Sequence, residues 1–122
     1  MPLRDYYEQI VVADTDAHAM TIARRAYLRW RSSFTYLFEL NGTLRDSPLR
    51  AESFDTLIGQ GQAIAGWADT VRAFLSAQIN ECGANYIVGQ FCFGDLALEQ
   101  MLRSVELFAA KVMPALRTAL AQ

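Results

Sequence analysis

The chain has 122 residues, of which 52% are hydrophobic and 20% charged, and its formal net charge is −2. That length supports one domain with a real core, and that balance belongs to a folded chain, not a disordered one. A charge so near zero makes no electrostatic case for nucleic acid or an anionic membrane, and no apolar run approaches the roughly 20 residues of a spanning helix.

Met1-Pro2-Leu3-Arg4-Asp5 lacks the pattern of a signal peptide, so a cytoplasmic protein is the expectation. Gln9-Ile10-Val11-Val12-Ala13 is apolar and β-branched, the signature of a strand buried on both faces. Asp14-Thr15-Asp16 follows with three candidate N-caps. Ala19, Ala23, Ala26, Trp30, Phe34 and Leu37 then recur at helical spacing, and Asn41-Gly42 ends that long helix. Residues 41–61 read as a connector punctuated by Ser47-Pro48, Gly59 and Gly61, with one short helix within Ala51–Ile58.

Gln62-Ala63-Ile64-Ala65 is a second strand, and Val71, Phe74, Leu75, Ile79 and Cys82 mark a second long helix stopped by Gly83. Asn85 to Cys92 is a third strand. Asp95 caps a last helix whose inward face is Leu98, Met101, Leu102, Val105, Phe108 and Val112, and Pro114 must kink or end it. Cys82 and Cys92 have no metal-ligand spacing and are expected to be reduced, partly buried thiols.

The order is three strand–helix units, and the second and third strands stand one βα crossover apart, which predicts an α/β fold with parallel strands. Periodicity does not choose between an open doubly wound sheet and part of a (β/α)8 barrel.

Several segments, taken in order, resemble the C-terminal portion of luciferase-like flavin-dependent monooxygenases. Val11-Val12-Ala13-Asp14-Thr15-Asp16-Ala17 is similar to the passage from the sixth strand into its helix. Gly66-Trp67-Ala68-Asp69-Thr70-Val71 stands where that family has a Gly-[Ser/Thr]-Pro-Glu-x-Val turn. Gly83 to Phe91 and Phe93-Gly94-Asp95-Leu96, continuing to Val112-Met113-Pro114-Ala115-Leu116, look like the eighth strand and closing helix. The resemblance implies a single domain, residues 1–122, formed by the last three units of a partial (β/α)8 barrel. It also implies oxidation of a small organic substrate with oxygen and reduced flavin, FMN or a relative, with a flavin reductase as the partner such chemistry calls on. Trp67 and Ala68 depart from the family's turn, removing a capping hydroxyl worth roughly 1 kcal/mol. A whole barrel needs about 250 residues, so five units are missing, and with them the family's catalytic histidine.

Ligands of parallel α/β folds bind beyond the carboxyl ends of strands, which singles out Gln90, Phe91 and Phe93 as candidate cofactor contacts. Gln90 is polar in an apolar strand and should have a defined hydrogen-bond partner. His18, the sole histidine, reads as a surface or packing residue, and no catalytic residue or metal ligand set is assigned. Arg24, Arg25, Arg29 and Arg31 read as a solvated face. Tyr27, Trp30, Phe34, Tyr36 and Phe38 are denser than one helix face needs, and part of that group is expected at an interface. Three strands cut from a barrel leave open edges, so a homo-oligomer is expected; the competing reading is a non-catalytic interaction module that keeps part of the scaffold.

Overall fold

The computed structural model describes residues 5–42 and 51–120; the expected turn at Ser47-Pro48 falls outside them. The elements in order are β1 (Asp5–Val12), α1 (Asp16–Leu40), α2 (Phe54–Gly59), β2 (Ala63–Gly66), α3 (Ala68–Cys82), β3 (Tyr86–Gln90) and α4 (Leu98–Leu107). A π-helical turn (Phe108–Val112) then leads into α5 (Met113–Leu120). The protein is α/β with one three-stranded sheet, order β2-β1-β3, and both pairings are parallel.

β1 is central because it is long enough to serve two partners. Its second half, Gln9 to Val12, pairs with Ala63 to Gly66, and its first half, Asp5 to Gln9, pairs with Tyr86 to Gln90. The strand therefore begins earlier than its apolar run: β3 supplies partners for the backbone of Asp5–Glu8, and hydrogen bonding extends a strand where side-chain patterning is silent. β3 itself stops at Gln90, so Cys92 lies in the loop that follows and not in a strand.

Side chains of β1 alternate between two cores. Val11 and Ala13 join Ala63, Ala65, Phe54 and the α1 residues Ala19, Ile22, Ala23, Ala26 and Tyr27 on a first face. Ile10 and Val12 join Ile64, Val71, Leu75, Ile79, Leu107, Val112 and Leu116 on a second. Helices α1 and α2 thus cover one face and α3 with the α4–α5 rod the other, as in a doubly wound sheet.

The long helix follows its expected face, with Ala19, Ala23 and Ala26 buried and Trp30 packed at the border. Thr15 caps it, its hydroxyl accepting the His18 amide at 3.1 Å, and Gly42 closes it at φ 67°. Its aromatic residues stack along the helix itself, Tyr27–Trp30–Phe34–Phe38 with centroids 5.6, 5.1 and 5.9 Å apart, while Tyr36 faces solvent. Gly83 ends α3 in the left-handed region, its amide returning to Ile79 O.

Two expectations for the last helix are corrected. Asp95 is not its cap: the helix starts at Leu98 after Ala97, whose amide is taken by Gln100 Oε1 at 3.0 Å, and Asp95 reaches back to Arg25 instead. Nor is the inward face the whole apolar stripe, of which only Met101, Phe108 and Val112 pack inward. Leu98, Leu102 and Val105 are exposed, and Ser104, Leu107, Val112 and Leu116 are buried. The rod is turned because Ser104 is bonded to β1. Pro114 neither ends the helix nor breaks it sharply: the π turn before it widens the ladder, with the Met113 amide bonding Phe108 O.

Candidate functional site

The carboxyl ends of the strands are built from short-range polar ties. Asp16, at the start of α1, reaches across to α3, where its Oδ1 accepts the Trp67 amide and the Thr70 hydroxyl, each at 2.8 Å. This carboxylate ties down the amide of Trp67, the N-cap of α3, whose own side chain makes no cap hydrogen bond. Those two bonds, the Trp67 amide first, hold the Asp16 carboxyl below its ordinary 3.8. Gly66 makes the reach possible, since a Cβ there would stand 2.8 Å from Asp16 Oδ1. Beside it Arg103 pairs with both Asp14 and Glu106 at 2.9 Å, and Lys111 sits over the Trp67 ring. These bonds join α1, α3 and α4 around the ends of β1 and β2. Arg103, Asp14 and Glu106 are engaged with one another.

The three residues expected at a cofactor do not converge. Gln90 does have its partner: it accepts from Gln9 Nε2 at 3.3 Å, in register across the sheet, and donates to Cys92 O. Phe91 turns to the second face and meets Phe108 edge-on at 4.9 Å. Phe93 turns to the first face, is buried, and stacks on Phe54. The loop then packs against α1, where Gly94 has φ 62° and a Cβ on it would lie 1.9 Å from Ala26 O. Phe91 and Phe93 thus join different cores, while Gln90 is tied to Gln9.

His18 is exposed in the first turn of α1, and among the described residues no cluster of His, Cys, Asp and Glu is suited to a metal. Cys82 and Cys92 are both free and exposed, where partial burial was expected: one ends α3 and the other rides the loop after β3. Arg24 and Arg25 pair with Asp55 and Asp95, as befits a solvated face.

Two features escaped the sequence. Glu8, a carboxylate in the middle of β1, is fully buried on the strand's second face, opposite Gly89; only the pairing with β3 puts it inside. Gln9, on the other face, is 4% exposed, and its Oε1 has no hydrogen-bond partner among the described residues. The second feature is a half-open groove of about 330 Å³ between β3 and the closing helices, floored by Ile87, Gly89 and Phe91 and walled by Phe108, Met113 and Leu116. Its lining is mostly apolar and also includes Asn85, Tyr86 and Arg117. Volume and lining are those of a small-ligand pocket.

No protein-family model matches the chain. An uncharacterized protein of Sinorhizobium fredii, y4wF, is 34% identical over 104 residues, which is 85% of this chain. The match spans 30% of that relative, so the relative is about 350 residues long (104 divided by 0.30). Among the described residues no helix is long and apolar enough to cross a membrane.

Proposed function

We propose that this sequence works as one α/β segment of a longer luciferase-like flavin-dependent monooxygenase, competent only together with further βα units. The observation that carries the need for more chain is the bare part of the first face. Val88 of β3 is 38% exposed there, although parallel sheets are ordinarily covered on both sides. The flavin chemistry rests on the resemblance of the Val11–Ala17 and Gly83–Leu116 segments. A relative of about 350 residues has room for a whole (β/α)8 barrel, which takes about 250.

On this reading Gln90, held by Gln9, is the polar group the segment offers to a shared interior, and Phe91 and Phe93 serve packing. Flavin and substrate are gripped chiefly by the other units. Consecutive barrel units would have the second strand in the middle and all helices on one face, so the reading requires β2 to move between β1 and β3, and the helices now on two faces to gather on one, when the neighbouring strands are supplied. The test is the intact mass and colour of the product purified from its native source. A longer polypeptide carrying the visible absorbance of flavin, or turning over reduced flavin from a flavin reductase, supports the reading. A colourless product of 122 residues, indifferent to flavin, refutes it.

A second reading, a non-catalytic homo-oligomeric module, is favoured by one feature: Leu98, Leu102 and Val105 make an exposed apolar stripe along α4. Leu102→Lys should then shift the chain to a smaller species in light scattering after gel filtration. An unchanged mass would remove this reading.

A further inference from the structure

We propose that the groove beside β3 binds a small amphipathic anion, an aliphatic or aromatic carboxylate, with its apolar body against Ile87 and Phe108 and its charge at Arg117. The proposal needs neither flavin nor the additional length of the relative. Three independent observations meet at this place.

The groove is mostly apolar and concave, between a strand and a helical rod. Arg117 is among its lining residues and, among the described residues, pairs with no carboxylate; its one hydrogen-bond partner there is the weak acceptor Met113 Sδ at 3.9 Å. That contrasts with Arg24, Arg25, Arg72 and Arg103, each of which has an acidic partner. Finally, the wall of the groove is the π turn that begins at Phe108, and such turns, costly to a helix, recur at functional sites.

An apolar trough with one unmatched cation in its lining selects for charge of the opposite sign on an apolar tail. A neutral alcohol of the same length would gain the burial but not the charge-assisted bond, and a cationic amphiphile would meet repulsion.

The experiment is a calorimetric titration of the 122-residue chain with decanoate, 1-decanol and decyltrimethylammonium, repeated on Arg117→Gln, Arg117→Lys and Met113→Trp. Circular dichroism confirms that each variant is folded. The expected result is saturable binding of decanoate, weaker binding of decanol and none of the cation. Arg117→Gln should weaken decanoate about fivefold while sparing decanol, in keeping with an ion pair near the surface. Arg117→Lys should restore most of the affinity, and Met113→Trp, which fills the groove, should weaken acid and alcohol alike. Absence of saturable decanoate binding overturns the proposal, whether the chain is monomeric or self-associated. So does equal affinity for acid and alcohol, or decanoate binding that is untouched by Arg117→Gln.

Discussion

Replacing Ser104 by Ala should cost the fold about 2 kcal/mol, far more than a serine on an amphipathic helix ordinarily costs. The reason lies in the hydrogen-bond directions of β1. The amides of Gln9 and Ala13 bond to Gln62 O and Gly66 O, so the odd residues donate toward β2. Even residues therefore donate toward the β3 side. There the pairing ends at Gln9 with Gln90, and the Val12 amide finds only Ser104 Oγ, at 2.8 Å. Val12 is 1% and Ser104 2% exposed, so water does not readily replace the lost acceptor. A buried amide left without a partner costs about 1–3 kcal/mol. For a chain of this size that is a fall of roughly 8 °C in Tm at the midpoint of the range. Urea denaturation should show a lower midpoint at unchanged slope, and the Val12 amide should exchange faster. A loss below about 0.5 kcal/mol, the level of an ordinary surface substitution, would refute the reasoning.

Gly94→Ala should be far more damaging than a loop substitution usually is, because φ 62° and a Cβ placed 1.9 Å from Ala26 O act together; a loss above about 2 kcal/mol is expected in the same denaturation assay. The acid limb of stability should depend on Asp16. Its carboxyl is held below 3.8 in the fold, so its contribution is present above that value and is lost as pH falls through 3.8 and below. Asp16→Asn, which keeps an acceptor without a titrating proton, should flatten the fall in Tm measured between pH 5 and pH 3, values chosen to be about one unit either side of that pKa; an identical fall in both proteins would show that Asp16 is not responsible.

Where the chain's own patterning is strong, the fold was legible. The β-branched run at Ile10–Val12, the three-four spacing from Ala19 to Trp30, and Gly42 and Gly83 as helix stops all express local physics, and each stands where it was read. What could not be read was anything set by a neighbour. Asp5–Glu8 is a strand because β3 is alongside, and nothing in Asp-Tyr-Tyr-Glu announces it. Helix α4 buries Ser104 in preference to Leu102 because an amide on β1 requires an acceptor; periodicity counts apolar side chains and cannot see that demand. The candidate site divides the same way. Gln90 was expected to have a polar partner and has one in Gln9, but the opposite turns of Phe91 toward Phe108 and Phe93 toward Phe54 are set by those neighbours. Arg117 carried no sequence signal, since its meaning comes from the acids it lacks.

The two proposals draw on opposite sides of one strand, which makes them separable. Ile87, Gly89 and Phe91 look toward the closing helices and border the groove, while Val88 and Gln90 look toward the face that α1 leaves bare. Whatever covers that bare face must do so beside Gln9, whose buried Oε1 still wants a donor. A covering layer that was purely apolar would leave this already buried acceptor unpaired, at a standing cost of about 1–3 kcal/mol. A layer bearing an N–H or O–H over Gln9 and Gln90 would instead recover that energy. On the proposed reading, the covering surface would be apolar against Val88, with a hydrogen-bond donor where the two glutamines meet. A second copy of α4, which would present Leu98, Leu102 and Val105, satisfies only the first half of that description.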